Sequence, residues 1–552
     1  MIKTQAEHIK NLKNTKTPTG FMHCTIIMRG NIDMRRMNKY IILVLFCAAA
    51  IKTCTTDVKR PNPEDCYAVS RQPVIEPDYA DIVLPPNIAP MNFVIKEQGR
   101  AYYVHISSEK GVDIGILCRS PEIKIPVNAW KNLLAENHEQ ILRTTIYVKD
   151  DKNRWHCFES INNRIADENV DTHVVYRIIP PIYAYYDKMR LYQRDLRSYS
   201  ERTIAYNKTM GYNCINCHSF HQYNPDRMIF HMRGGGVGTS MILAYDKNVF
   251  KVDTKTSFNN ATSYRSWHPN GQVIAFAFNN VKQLFHAVGE NRDVLDIVSD
   301  LLLYNVKTHT ITTSPKISSA ERMETYPEWS PDGKYLYFCS GPDLEKYQND
   351  EHPYKHLKYD LMRISYDLEK DLWGEIEPVL MASEMDMSVA HAKLSPDGRY
   401  ILFCLSEYSY FPLYRPESDL YLLDTHTNDY WEAEPLNSPF AESYHCWSSN
   451  GRWIVFSSKR RDGLTTDLYF SYFDTTGSFS KPFILPQKDP QRHSALFRVY
   501  NIPEFVTGPV KVRPQKLIET AWSQEIFKAK LDAKVSVKGT PRAEEPMYQP
   551  YP

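Results

Sequence analysis

Cysteines at 214 and 217 followed by a histidine at 218, within YNCINCHSFH (212–221), make a C-x-x-C-H pattern. At that spacing two thiols can add to the vinyl groups of a haem, while the adjacent histidine offers an axial nitrogen to the iron. Cys214 and Cys217 are therefore the expected attachment points of one covalent haem c, and His218 its proximal ligand. A strand over the following RMIFHMRG would put Met228, Phe230 and Met232 on one face and Ile229, His231 and Arg233 on the other, so only one set can reach the site. Met232 or His231 is the expected distal ligand. Arg233 is expected to pair with a propionate, because a guanidinium binds a carboxylate through two parallel hydrogen bonds. Other readings stay open: a redox or structural disulfide, a metal half-site, or coincidence. A zinc site wants a second Cys/His pair of matching spacing, and a thioredoxin-type dithiol wants a βαβ context; the sequence offers neither.

Haem attachment takes place outside the cytoplasm, and the N-terminus carries an export address. MRRMNK (34–39) is basic and YIILVLFCAAA (40–50) is apolar, too short for a stable membrane anchor but suited to a signal-peptide core. Residues 1–54 are read as a leader, its true start at Met34 or Met37. Cys54 follows the apolar run and precedes polar TTDVKRPNPED, which resembles the lipidated cysteine of a bacterial lipoprotein, although Lys52 and Thr53 depart from the usual small apolar residues; the alternative is simple cleavage near Ala50. Residues 55–74 would then be a tether. The chain is expected in the periplasm or on the outer membrane, touching a membrane only through that lipid.

The elements that must position the motif are legible as repeats. HPNGQVIAFAF (268–278), SPDGKYLYFCS (330–340), SPDGRYILFCL (395–405) and SSNGRWIVFSS (448–458) each join a tight turn to an alternating apolar strand, and NPDRMIFHMRG (224–234) is a degenerate fifth copy. Trp267, Trp329 and Trp447 precede three of the turns. A second strand pattern follows the last four copies: SDLLLYNV (299–306), YDLMRISYD (359–367), SDLYLLD (418–424) and TDLYFSYFD (466–474). Two hairpins make a four-stranded sheet that cannot bury both faces alone, so copies must stack, and radial stacking closes a β-propeller. The fold class is all-β, with an Ig-like β-sandwich over 75–180 ahead of a propeller over 222–512. Between them, 181–221 is read as a helical link carrying the cysteine motif, and 513–552 as a partly disordered tail. The stretch AWKNLLAENHEQIL is the expected helix of the sandwich domain.

The repeats resemble the Pro-Asp-Gly repeats of TolB-like propellers, which implies six blades, the sixth drawing on residues around 485–512 and closed by a strand from before the first blade. NCINCHSF, DRMIFHMRG and YNIPEF (500–505) resemble a family of exported TolB-like proteins from Bacteroidetes that carry C-x-x-C-H directly before the first blade. That resemblance implies a haem-binding or periplasmic propeller protein of the cell envelope. The colicin-uptake role of TolB itself is not implied, because TolB lacks the haem motif.

The chain carries 66 Lys+Arg against 65 Asp+Glu, which excludes the strongly basic balance of a nucleic-acid binder. Without a G-x-S-x-G elbow, or room for a hydrolase domain after residue 512, a propeller-capped peptidase is excluded too. Asp332, Asp397 and the aspartates of the SDL patterns read as turn and strand-start residues rather than a glycosidase pair. The expected function is electron transfer or contact with a redox partner in the envelope, by a carrier rather than a hydrolase. The alternative is a non-enzymatic propeller scaffold that binds an envelope protein, a peptide or a glycan.

Overall fold

The computed structural model describes residues 58–179, 188–284, 293–347, 349–350, 353–408, 411–495 and 498–535. The leader with Cys54, the first residues of the tether and the last residues of the tail lie outside the described residues.

Six sheets built on four antiparallel strands surround one axis, five of them with those four strands in chain order. Blade 2 runs Cys214–Phe220, Met228–Arg233, Ser240–Tyr245 and Asn248–Asp253, from the axis outward. Blades 3 to 6 begin with the innermost strands Arg265–Trp267, Arg322–Trp329, Ser388–Leu394 and Glu442–Trp447. Blade 1 closes the ring by a different route. Its innermost strand, Val499–Val506, comes from the C-terminal region and pairs antiparallel with His173–Ile179, which pairs in turn with Arg190–Asp195 and then Glu201–Tyr206. The innermost strands contact one another in the order 2, 3, 4, 5, 6, 1 and back to 2, so this is a six-bladed β-propeller.

Each quoted repeat spans the hairpin between the first and second strands of a blade, and the second pattern is the third strand. The turns use Gly271, Gly333, Gly398 and Gly451 at φ of 70°, 74°, 76° and 69°, a region that only glycine enters without cost.

Three expectations are corrected. THVVYRII (172–179), which falls inside the expected sandwich over 75–180, is the second strand of blade 1. The link over 181–221 is not helical where it is described: 190–206 supplies two blade strands, and the cysteine motif is itself the innermost strand of blade 2. The start of the helical-looking stretch, 183–187, lies outside the described residues. Strand pairing wins over helical spacing here because Leu191, Ile204 and Ala205 are buried against the face of blade 2. The tail is also more ordered than its charge suggests. Pro514–Trp522 is a helix, and Phe527–Lys528 and Lys530–Leu531 add a fifth strand to the outer edges of blades 2 and 3.

Ahead of the propeller, a seven-stranded and a three-stranded sheet pack as a sandwich, with the helix Val127–Ala135 burying Trp130, Leu133 and Leu134. AWKNLLAENHEQIL thus begins within this helix and ends in the strand Ile141–Lys149. The core of the sandwich runs on into blade 6 through Trp453, Val455, Phe470 and Phe483. Trp453 is fully buried at that seam and donates its indole N–H to the Glu168 carbonyl at 3.0 Å. Trp453→Phe keeps an aromatic ring but loses the indole N–H and part of the seam's packing and leaves the part-buried Glu168 carbonyl without its donor, so it should cost at least about 1–2 kcal/mol, read from thermal or denaturant unfolding.

Candidate functional site

The innermost strands share a device that the repeat alone does not reveal. In five of them the pairing with the second strand slips by a bulge, and the bulged residue is a non-glycine at positive φ: Cys217 (52°), Tyr326 (49°), His391 (54°), Tyr444 (48°) and Ile502 (50°). Bulges re-aim side chains, and non-glycine residues in this region persist only where the surroundings hold them. Tyr264 occupies the matching place on blade 3, three residues before its tryptophan as Tyr326 and Tyr444 are before theirs. Ring centroids are 4.2 Å apart for Tyr264 and Tyr326, 4.1 Å for Tyr326 and His391 and 4.4 Å for His391 and Tyr444. Four aromatic residues thus form a belt at the axis, at one level with Cys217 and Ile502 of blades 2 and 1.

Around the motif, Arg233 pairs across the hairpin with Cys214 and brings its guanidinium nitrogens to 3.8 and 3.9 Å from the Cys217 sulfur. One of those nitrogens also donates to the Thr262 carbonyl at 2.7 Å. His231 lies on the same face as Arg233 and shares a 2.7 Å hydrogen bond between its Nε2 and the Thr262 hydroxyl. Arg177 of blade 1 donates to the Asn216 side chain from the other side. Both thiols are buried, at 8% and 3% exposure, and burial pushes the Cys214 thiol up. His218 is buried with a hydrogen bond to the Val175 backbone, while its Nε2 has no partner. Burial, reinforced by Arg265 and Arg177, holds this imidazole well below its usual range, so it is neutral with a lone pair to give.

The structure separates the two distal candidates. Met232 faces the apolar core between blades 1 and 2 with Ile215, Phe230 and Val175, away from Arg233 and Cys217, and is corrected from a ligand candidate to a core residue. His231 stays on the thiol side.

The residues that sequence reasoning missed are Arg177, Arg265 and Glu504, which join the expected Arg233. Arg177, Arg233 and Arg265 have no ion pair among the described residues, and the Nε of each is buried without a partner. Glu504, on the strand that closes the ring, accepts from the Phe220 N–H at 2.8 Å and from the Ser219 hydroxyl at 3.4 Å. Burial pushes its carboxyl up to about 7. Aligning the repeats from their tryptophans would have picked out Arg265, which matches His218; nothing local marks Arg177.

A cavity of about 420 Å³ lies on the axis at the turn end, lined by all six innermost strands. Its walls include Ser219 and Phe220 but not Cys214, Cys217 or His218. Among the described residues, no three His, Cys, Asp or Glu side chains are grouped to hold a metal ion. A tetrahedral zinc site would need such a group. A haem would not, because the porphyrin supplies four of the iron's ligands and the protein only the axial ones.

Strand order and ring closure thus define the class: an axial-cavity β-propeller joined to a sandwich. No family model matches the chain, and no curated protein is similar to it. Among solved structures, hydrazine synthase from Kuenenia stuttgartiensis is similar at 10% identity and a TM-score of 0.27, over 49% of this chain and 65% of that one. An oligogalacturonate lyase from Vibrio parahaemolyticus is similar at 10% identity and 0.29, over 74% and 97%. A 6-phosphogluconolactonase-like protein from Bacteroides uniformis is similar at 10% identity and 0.31, over 70% and 98%. The chain therefore spans just under two thirds of the hydrazine synthase chain. Likenesses at this level add nothing to what the chain's own topology establishes.

Proposed function

We propose that this chain is an exported cell-envelope propeller that carries one covalent c-type haem and serves electron transfer or contact with a redox partner. The observation that carries the reading is the set of unsatisfied groups around the C-x-x-C-H strand. His218 keeps a free, neutral Nε2 one residue from Cys217, and buried Arg177 and half-buried Arg233 flank the strand as cations without an ion pair among the described residues, each with a buried Nε that has no partner. Unpaired buried charge is costly, so a bound dicarboxylate such as haem would relieve it. Cys214 and Cys217 would hold the macrocycle, His218 the iron, and Arg233 with Arg177 the propionates. When bound, the haem supplies one-electron chemistry at its iron. The basic and apolar leader and Cys54 support export and lipid anchorage.

The second reading, a haem-free binding propeller, is favoured by the axial cavity, which Cys214 and Cys217 do not line. The two separate on protein made with a periplasmic haem-ligation system. A denaturing gel stained for covalent haem, with a pyridine haemochrome spectrum, should give a signal for the natural chain and none for Cys214→Ala/Cys217→Ala. A colourless natural chain, beside a control cytochrome that is loaded, would retire the haem reading in favour of the second.

A further inference from the structure

The axial cavity has its own chemistry, independent of the haem reading. About 420 Å³ falls in the range of small-molecule sites, and the mouth is set among turn residues Pro269, Pro331 and Pro396. Four nitrogen groups on its lining lack partners: Arg265 Nε, His391 Nε2 and the indole N–H groups of Trp267 and Trp329. The charges on its wall do not cancel. Lys393 and Glu328 neutralise each other at 2.6 Å. Glu504 directs its hydrogen bonds to Phe220 and Ser219 rather than to Arg265. Arg265 makes no direct ion pair among the described residues, and the acid that acts on it across the wall, Glu504, is pushed up to about 7 by burial and so only partly offsets it, which suits a monoanion better than a phosphate dianion. The aromatic belt supplies a floor of rings tilted 49°, 42° and 76° to one another, offering both faces and edges, with His391 kept neutral by its burial.

We propose that the axial cavity binds a small aromatic monocarboxylate, its carboxylate on the Arg265 guanidinium and its ring on the belt of Tyr264, Tyr326, His391 and Tyr444. A guanidinium meets a carboxylate in a paired, charge-assisted geometry, and aromatic faces favour offset or edge contact with a planar ring.

Titration calorimetry on the full chain tests this with benzoate as probe and benzamide as its uncharged match. Benzoate should bind at one saturable site, and benzamide about tenfold or more weakly, the ratio expected for one charge-assisted hydrogen-bonded pair. Arg265→Met should weaken benzoate by the same factor or more, and Arg265→Lys should fall between the two. Benzoate heats that do not saturate by about 10 mM on folded natural protein would overturn the proposal. So would equal binding of the two probes, or benzoate binding unchanged in either variant. If Arg265→Met fails to fold, the benzoate-to-benzamide ratio and Arg265→Lys still decide it.

Discussion

A chain ended after Arg498 is expected to lose the propeller as a cooperative unit. The strand Val499–Val506 is the only one of blade 1 that comes from the C-terminal side, and it pairs along the whole of His173–Ile179. Its Tyr500, Phe505 and Val506 are buried at 4%, 0% and 0% exposure. Each such side chain contributes about 1.5–3 kcal/mol of burial, so their loss alone is of order 5–10 kcal/mol. That rivals the whole net stability of a typical domain, about 5–15 kcal/mol. The truncation also bares the paired edge of His173–Ile179, an invitation to aggregate. A second chain ended after Arg513 separates closure from the tail: it keeps the closing strand and loses only the helix and the two added outer strands. It should stay monomeric on size exclusion with a lowered melting temperature, while the shorter chain should aggregate or melt without cooperativity. A monomeric 498-residue chain melting within a few degrees of the full one would show that this strand does not hold the ring shut.

The same strand marks the limit of what the sequence discloses. Blades 3 to 6 are legible because each carries a local signal, a turn whose glycine must bend the chain ahead of an alternating strand, and blade 2 because it keeps the Asn-Pro-Asp of that turn and the strand after it. Blade 1 has no such turn, and its strands lie some three hundred residues apart, so no local pattern records their pairing. The alternation around Met232 and His231 was readable in two-residue periodicity and correctly split them between faces. Which face held the thiols was not readable, because the bulge at Cys217 depends on a non-glycine residue at positive φ. That conformation is imposed by the neighbouring blades. The belt of Tyr264, Tyr326, His391 and Tyr444 lay in between: no single residue announces itself, yet the place three before the blade's closing apolar residue recurs once the copies are aligned.

Glu442→Gln should change how stability depends on pH more than its value at any one pH. Glu442 starts the innermost strand of blade 6 with its side chain wholly buried, bonded to the hydroxyls of Ser438 at 2.7 Å and Ser458 at 2.8 Å. Arg460 approaches its carboxylate at 3.2 Å, but burial prevails and pushes the carboxyl up from 4.5 to about 7. The nearby Asp419 is itself pushed up to about 6, chiefly by burial, and opposes ionisation of Glu442. The folded state therefore holds this proton more tightly than the unfolded chain does. The resulting stabilisation is full below about 4.5 and is lost as pH rises through about 7. The shift corresponds to a few kcal/mol, about 3 at most. Glutamine fills the same space and keeps partners for both serines, but it has no proton to lose. From pH 5 to pH 8, the stability of Glu442→Gln relative to the natural chain should climb by about 2–3 kcal/mol, whatever constant cost attends the lost charge opposite Arg460. Denaturant unfolding of both proteins across that range measures the difference directly. Parallel curves would mean that Arg460 already keeps Glu442 ionised throughout, and that the buried site is an ion pair rather than a neutral acid.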